Sequence, residues 1–291
     1  MFHPRLRAAI LTFRFPTSDL RPLVVALLLA ALPPLHAGDS KTPAAVADAS
    51  APFSGSLATG WDSLYMFRGV NQLPGPNGYG SSISWTSLTV SWSPTANDSF
   101  SLSSWSAFGL TQSNYKEIDA SLSYTRTLGH LSLTAGYYLY TVLSSPGGLY
   151  SNELQASATY AIPLGPVTLI PGLTYAYTLG PSPDHGGYIN PNTGYLEARL
   201  DTDIPLYHEI IKASPYASAG FSFAYNSTES ANATTQPLTG ADHFELGLTL
   251  PVALTPSLEL APYLAYSHTW LSLPGTHRNT TWAGLALTFS F

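Results

Sequence analysis

The sequence contains no cysteine and little charge. Without cysteine the chain can form neither a disulfide framework nor a thiolate metal site. Charged residues make up 10% of the chain, against roughly 25% in typical soluble domains. Beyond the N-terminal region no apolar run approaches the ~20 residues of a membrane-spanning helix. The apolar residues are instead interleaved with Ser, Thr, Gly and Tyr, a mixture typical of strands that lie between lipid and a wet lumen.

A long apolar segment, Leu23–Leu32, lies near the N-terminus between four arginines and the small residue Ala37. This order of basic, apolar and small residues is typical of a secretory signal peptide, and the run is too short for a membrane anchor. We predict a signal peptide over 1–37 and a polar periplasmic linker over 38–52. Removing four Arg and one Asp with the signal peptide leaves 7 basic and 16 acidic residues, a net charge of −9. Such an acidic chain is unsuited to a nucleic-acid partner.

The C-terminal stretch alternates strictly. From Ala283 to Phe291 the odd positions are apolar and the even positions are Gly, Ala, Thr or Ser, which indicates a strand with one apolar face. The sequence ends on an aromatic residue inside this strand, whereas the ends of soluble domains usually fray. We expect the closing strand of a bacterial outer-membrane β-barrel. By resemblance to such barrels, Phe289 and Phe291 are expected to be the signal that the outer-membrane assembly machinery reads.

The same alternation recurs in about twelve segments, separated by alternately short and long connections. An even strand count and short periplasmic turns opposite longer outer loops are features of single-chain bacterial barrels. We predict an all-β protein, a transmembrane antiparallel β-barrel of about 12 strands over 53–291 in the bacterial outer membrane, with both termini periplasmic. A soluble β-sandwich also alternates, but its wet face would carry more Lys and Glu.

Three local patterns carry more specific expectations. The first strand is predicted over Gly55–Phe67, with Tyr65 on its apolar outward face. The second strand changes phase near Thr86, which predicts a β-bulge. In the ninth strand, Phe223 and Tyr225 fall on one apolar face.

The first predicted strand ends in the sequence Tyr65-Met-Phe67-Arg68-Gly69. This Tyr-x-Phe-Arg-Gly motif resembles the TorF-like porins, a family of uncharacterised bacterial outer-membrane proteins. Outside the motif the resemblance rests on the barrel pattern from about residue 54 to 291, and Asn71–Pro74 departs from what the family leads us to expect. The resemblance implies an outer-membrane barrel that acts as a channel, without a defined substrate.

Charged residues on the polar faces of the predicted strands are candidates to line the lumen. They are Asp62, Arg68, Glu117, Asp119, Glu153, Glu197, Arg199, Asp201, Glu245 and Glu259. Eight carboxylates against two arginines leave an excess of six negative charges, which would favour cations. Two alternatives stay open. The same residues could fill a plugged lumen, and Arg68 could bind backbone carbonyls of the first loop rather than a carboxylate across the lumen.

The sequence offers no convincing catalytic or metal-binding pattern. Ser267 and His268 are adjacent on a strand and therefore point to opposite faces, and the histidines lack ligand spacing. We predict a non-enzymatic channel, without metal or cofactor, that passes small hydrophilic solutes and prefers cations. Its expected partners are outer-membrane lipid, the assembly machinery and those solutes. The alternative is a structural or ligand-binding barrel that acts through extracellular loops such as Asn226–Gly240.

Overall fold

The computed structural model describes residues 52–73, 80–111, 114–143, 149–179, 192–208, 210–229, 235–270 and 278–291. The predicted signal peptide, and the predicted linker up to residue 51, lie outside this part of the chain. The described residues form strands, turns and irregular segments, and none of them belongs to a helix long and apolar enough to cross a membrane.

Twelve long antiparallel strands form one closed sheet. In chain order they are β1 (Phe53–Asp62), β2 (Ile83–Trp92), β3 (Asp98–Gly109), β4 (Lys116–Leu128), β5 (Leu131–Val142), β6 (Leu149–Tyr160, continued by Ile162–Leu164), β7 (Val167–Leu179), β8 (Gly194–Tyr207), β9 (Ile211–Glu229), β10 (Thr235–Thr249, continued by Val252–Thr255), β11 (Leu258–Thr269) and β12 (Asn279–Ser290). Each strand pairs with its neighbours in sequence, and β1 pairs with β12 from Ser56–Ser290 to Asp62–Gly284. The pairing of β1 with β12 closes the ring, which confirms the predicted 12-stranded barrel.

The two ends of the barrel differ in their connections. At the short-turn end the strands join through 93–97, 129–130, 165–166, 208–210 and 256–257. At the long-loop end they join through 63–82, 110–115, 143–148, 180–193, 230–234 and 270–278. Phe53 and Phe291 both lie at the short-turn end. The position of either end relative to a membrane stays a prediction.

Side chains of the wall alternate between two chemically different faces. Large apolar side chains are exposed on the outside, among them Leu57, Leu88, Leu102, Leu122, Leu154, Leu173, Leu246 and Leu285. Small polar side chains are buried on the inside, among them Ser56, Ser103, Ser121, Ser123, Thr134, Ser157, Ser218 and Thr288. A closed sheet satisfies its backbone groups internally, so this outer face suits hydrocarbon rather than water.

The predicted first strand is too long. β1 ends at Asp62, and Tyr65 lies inside the barrel with 4% of its surface exposed, so its predicted outward orientation is wrong. The reason is that the chain turns inward after the strand instead of continuing along the wall.

The predicted bulge near Thr86 is also wrong. β2 keeps one continuous register with both neighbours from Ile83 to Trp92. Its inner face instead changes from the large Ile83 and Trp85 near the long-loop end to serine and threonine further down. The large inward residues pack against a segment inside the barrel, and this packing produces the apparent change of phase.

The outward orientation predicted for Tyr225 is wrong for a different reason. The register of β9 shifts between Phe223 and Ser227, and Ala224 in the middle has a φ of 62°. An irregularity of this kind changes the face to which the following side chain points. Tyr225 is thereby buried inside the barrel, with 1% of its surface exposed.

Candidate functional site

A short hairpin, residues 63–73, folds from the long-loop end into the barrel, and we call it the inner hairpin. It leaves the wall at Ser63, whose N–H donates to the Ala283 carbonyl at 2.8 Å. It is tied back to the chain where the Ser81 N–H donates to the Leu73 carbonyl at 3.0 Å. Its buried side chains are Tyr65, Met66, Val70, Asn71 and Leu73. The hairpin therefore packs inside the barrel rather than across its mouth.

The tip of the inner hairpin is the dipeptide Arg68–Gly69. Phe67 pairs with Val70 across the tip, and the two tip residues have φ angles of 49° and 74°. Two consecutive residues with positive φ form a type I′ turn, which matches the twist of a tight hairpin. Glycine adopts this conformation freely, whereas for Arg68 it costs about 1–2 kcal/mol. Contacts of the Arg68 side chain offset that cost.

Arg68 forms a bidentate ion pair with Glu153 on the opposite wall. Its two terminal nitrogens each donate to a different carboxylate oxygen at 2.8 Å, and the side chains are 6% and 0% exposed. Burial by itself lowers the pKa of Arg68, but the charge of Glu153, the hydrogen bonds to it and the nearby tyrosine hydroxyls together outweigh burial and raise that pKa above its ordinary value. The arginine therefore stays charged, and Glu153 is its counterion.

Aromatic rings enclose the same guanidinium group. Its central carbon lies 4.7 Å from the ring centres of Phe67 and Tyr195 and 4.8 Å from that of Tyr225. The Tyr225 hydroxyl accepts a hydrogen bond from Arg68 and donates one to Glu153. Such cation–π contacts contribute most when the cation is shielded from water.

Gly69 fits against β10 of the wall because it has no side chain. A Cβ at this position would lie 2.2 Å from Cγ of His243, which stands on β10 and stacks on Tyr195 at 6.2 Å. The Arg-Gly pair of the motif thus forms a left-handed turn, and its glycine also allows the close approach to the wall.

The base of the inner hairpin is fixed to the wall by Tyr65. Its hydroxyl donates to Glu117 at 2.6 Å, and its ring stacks on Trp105 with centres 5.7 Å apart. The Tyr115 hydroxyl donates to the same oxygen of Glu117. Burial and the charge of Glu117 raise the pKa of Tyr65, so it stays a neutral hydrogen-bond donor. Tyr65, Phe67, Arg68 and Gly69, the four fixed positions of the motif, all make specific contacts inside the barrel.

A pairing of carboxylate with tyrosine recurs around the hairpin. Tyr263 donates to Asp62 at 2.7 Å, Tyr216 to Glu245 at 2.7 Å and Tyr195 to Glu197 at 3.3 Å. Together with Glu117 and Glu153, five buried carboxylates each accept at least one phenol hydrogen bond. Bonds to an ionised acceptor are stronger than neutral ones, and buried charges need them.

The lumen towards the short-turn end has a different lining. Hydroxyl groups bridge neighbouring strands there, with 2.9 Å between Thr89 and Ser103 and 2.8 Å between Ser91 and Ser101. On the opposite wall Arg199 donates to Asp201 at 3.1 Å and lies 3.9 Å from the centre of the Tyr216 ring.

Solved structures share this architecture. The COG4313 outer membrane channel from Pseudomonas putida F1 superposes with a TM-score of 0.54 at 12% identity, covering 84% of this chain and 98% of that one. The fold is that of a bacterial outer-membrane β-barrel. The KdgM porin has a TM-score of 0.46 at 12% identity, covering 81% of this chain and 99% of that one. The NanC porin has a TM-score of 0.47 at 11% identity, with coverages of 81% and 98%.

No protein-family model and no curated protein matches the sequence. The resemblance to the TorF-like porins therefore stays a prediction, and what the comparison shows is the fold of an outer-membrane β-barrel.

All ten charged residues predicted to line the lumen lie on the inner side of the barrel or on the inner hairpin. Asp62, Glu117, Glu153, Glu197 and Glu245 are buried, and Arg68 lies among them. Asp119, Arg199, Asp201 and Glu259 are half-buried. For Arg68 the structure shows the predicted pairing with a carboxylate across the lumen. Residues 74–79 of the first loop lie outside the described residues.

Sequence reasoning missed the tyrosines that bind these carboxylates. Two of these tyrosines could have been predicted, because the spacings Tyr115-x-Glu117 and Tyr195-x-Glu197 place phenol and carboxylate on one face of a strand. Tyr225 could not, because the alternation of apolar residues does not reveal the register shift in β9. Among the described residues, no three His, Asp or Glu side chains are grouped to hold a metal.

The predicted assembly signal lies on the outer face at the seam of the barrel. Phe289 and Phe291 are 45% and 59% exposed, and their rings stack 6.0 Å apart. The backbone of Phe291 exchanges two hydrogen bonds with Gly55, at 2.7 and 3.0 Å, so the last residue belongs to the β1–β12 pairing. Recognition by the assembly machinery stays a prediction.

Proposed function

We propose that this protein is an outer-membrane channel for small hydrophilic solutes, and that the inner hairpin sets the width of its path. The observation that carries the proposal is a closed barrel with a polar inner face, and within it the inner hairpin, which polar contacts hold to the wall. The shared fold with an outer membrane channel supports it. Nothing in this role calls for catalysis, and we propose that the protein is not an enzyme.

Conductance of the refolded barrel in a planar bilayer tests the channel. We expect small conductance from the native chain and larger conductance when Tyr65–Val70 is replaced by a Gly/Ser segment of equal length. Heat-modifiable migration on gels provides the folding control. If the correctly folded native and replaced barrels both fail to conduct, the channel proposal is overturned.

We further propose a preference for cations, which rests on the inward carboxylates. Around the inner hairpin, Arg68 neutralises Glu153, and the other carboxylates there keep the local charge negative. A low-dielectric wall focuses such a field. Reversal potentials across a salt gradient should show the preference, more strongly at low salt. The double substitution Glu197→Gln and Asp201→Asn should reduce it, with Asp184→Asn, outside the described residues, as the control. An anion-selective reversal potential contradicts the preference.

The sidedness and assembly of the barrel are part of the same proposal. We place the short-turn end and both termini in the periplasm, after removal of 1–37 and with 38–52 as the linker. Thiol reagents applied to whole cells should reach Thr235→Cys and not Leu164→Cys, and the reverse pattern contradicts the topology.

Deletion of Phe291 should lower the amount of heat-modifiable barrel, because the assembly machinery would lose its signal.

A closed barrel that acts through its long loops is the second candidate. The full burial of Glu153, at 0% exposure, favours it, because it indicates a dry level across part of the lumen. Residues 230–234 of the predicted binding loop lie outside the described residues. Binding through the loops by a barrel that does not conduct, even after replacement of the hairpin, would favour this candidate.

A further inference from the structure

We propose that the wall around Glu153 is a binding site for guanidinium groups, that Arg68 is its tethered occupant, and that a guanidinium-bearing solute displaces it. This inference deepens the proposed channel function by naming a solute class. Binding to the site is nevertheless measurable whether or not the barrel conducts.

The site is built by the wall and not by the hairpin. Glu153 on β6 supplies the carboxylate, and Tyr195 on β8 and Tyr225 on β9 supply two of the three rings around the cation. Phe67, the third ring, belongs to the hairpin. If the hairpin left, the carboxylate and two rings would stay in place.

Wall residues also orient the carboxylate independently of Arg68. Gln155 donates to Glu153 at 3.0 Å and to the Tyr140 hydroxyl at 2.8 Å, and Tyr225 donates to the other carboxylate oxygen. A site that is oriented before its ligand arrives loses less freedom on binding.

The geometry selects guanidinium over ammonium. Two parallel hydrogen bonds of 2.8 Å use both oxygens of Glu153, and the planar group faces aromatic rings at 4.7–4.8 Å. A guanidinium group matches the spacing of a carboxylate with two donors and stacks on rings, whereas an ammonium is a strongly hydrated point charge.

Displacement of Arg68 preserves the charge balance of the site. Leaving Glu153 buried without a cation is strongly unfavourable, and this holds Arg68 in place when no ligand is present. An incoming guanidinium supplies the missing charge, while Arg68 moves with the hairpin into water. The exchange therefore leaves one cation in the site before and after.

Because the hairpin tethers Arg68 beside Glu153, Arg68 competes with any free guanidinium solute for the site. A group on a short linker acts at an effective concentration of about millimolar or above, so Arg68 competes with a free solute. Removing Arg68 should therefore raise the apparent affinity for a guanidinium solute at least about tenfold, since the fraction of free sites rises.

The experiment uses methylguanidinium chloride on the full-length barrel, native and Arg68→Ala. Methylammonium chloride and urea serve as controls for charge and for shape, and Arg126→Ala as a matched control at a more exposed ion pair. We expect methylguanidinium to raise the heat-unfolding temperature of Arg68→Ala on gels at concentrations at least tenfold below those acting on the native chain. Methylammonium and urea should be at least tenfold less effective, and adding Glu153→Gln should abolish the response. In bilayers, methylguanidinium should lower the conductance of Arg68→Ala.

The outcomes separate the two proposals. Equal responses to methylguanidinium, methylammonium and urea overturn the guanidinium site, whatever the conductance. A selective rise in unfolding temperature without any conductance supports the site and overturns the channel. Should Arg68→Ala fail to fold, Arg68→Gln keeps a side chain of similar reach without charge, and the same selectivity is required of it.

Discussion

The two halves of the lumen share one wall of twelve strands but are filled in opposite ways. Towards the long-loop end, the inner hairpin packs against aromatic rings and buried carboxylates such as Glu117 and Glu153. Towards the short-turn end the inner face carries small hydroxyls such as Ser101 and Ser103. The strands of both halves follow the same alternation, so the difference comes from what lies inside.

The comparison shows how a charged segment can be packed within a barrel. A buried arginine needs a counterion, and each buried carboxylate needs donors, which explains why tyrosines are concentrated in the filled half. Tyrosine supplies a large ring for packing and a hydroxyl for hydrogen bonding in one side chain. Towards the short-turn end, the hydroxyls of β2 and β3 bond to one another, and a tyrosine ring is used only where the Arg199–Asp201 pair lies on the opposite wall.

The largest loss of hairpin docking is expected from Glu153→Gln. It leaves Arg68 buried without its counterion, at a cost of about 3–5 kcal/mol to the docking of the inner hairpin. Since the chain has no cysteine, Met66→Cys introduces a single thiol on the hairpin. Labelling of that thiol should become roughly a hundredfold faster or more, because each 1.4 kcal/mol is a factor of ten. An unchanged labelling rate would show that the ion pair does not hold the hairpin.

A second substitution compares the two ends directly. Gly69 and Gly129 have similar φ angles of 74° and 63°, but a Cβ at Gly69 would meet His243 whereas one at Gly129 would meet nothing within 4 Å. Gly129→Ala should lower the free energy of unfolding by about 1–2 kcal/mol, because alanine is disfavoured in the left-handed backbone conformation. It should leave the labelling of Met66→Cys unchanged. Gly69→Ala should cost more and speed that labelling. Equal effects in heat unfolding and labelling would contradict the close approach.

The wall of the barrel could be predicted from the sequence, whereas most contacts in its interior could not. Alternation is set by the wall itself, and it predicted the strand count and the inward charges. The inner hairpin could not be found in this way, because Tyr65 continues the alternation of β1 after the chain has left the wall. The pairing of Arg68 with Glu153 depends on which strands face each other across the lumen, and alternation along one strand contains no such information.

A smaller effect is expected from Tyr65→Phe. It removes one of two phenol hydrogen bonds to Glu117 while the ring keeps its place on Trp105. A hydrogen bond to a charged acceptor contributes about 1.5–3 kcal/mol, and Tyr115 limits the loss to the lower part of that range. Labelling of Met66→Cys should rise by about tenfold. A rise as large as that for Glu153→Gln would mean that the base, not the tip, holds the hairpin.

The smallest effect is expected in the hydroxyl-lined half. Ser103→Ala removes one hydrogen bond between neutral hydroxyls, worth about 0.5–1.5 kcal/mol. Heat unfolding on gels should shift by a few degrees at most, and labelling of the hairpin thiol should not change. A change in labelling would show that the two halves of the lumen are energetically coupled.

The ion pair at the tip also imposes an order on how the barrel is made. Arg68 and Glu153 are 85 residues apart in the chain, and Arg68 and Tyr225 are 157 apart. Contacts this distant form late, because the intervening chain has to be brought together first. Until the wall from β6 to β9 has formed, a hairpin inserted early would bury a charge without a counterion. We therefore expect the centre of the nascent barrel to stay hydrated until these strands have assembled, and the arginine to dock late.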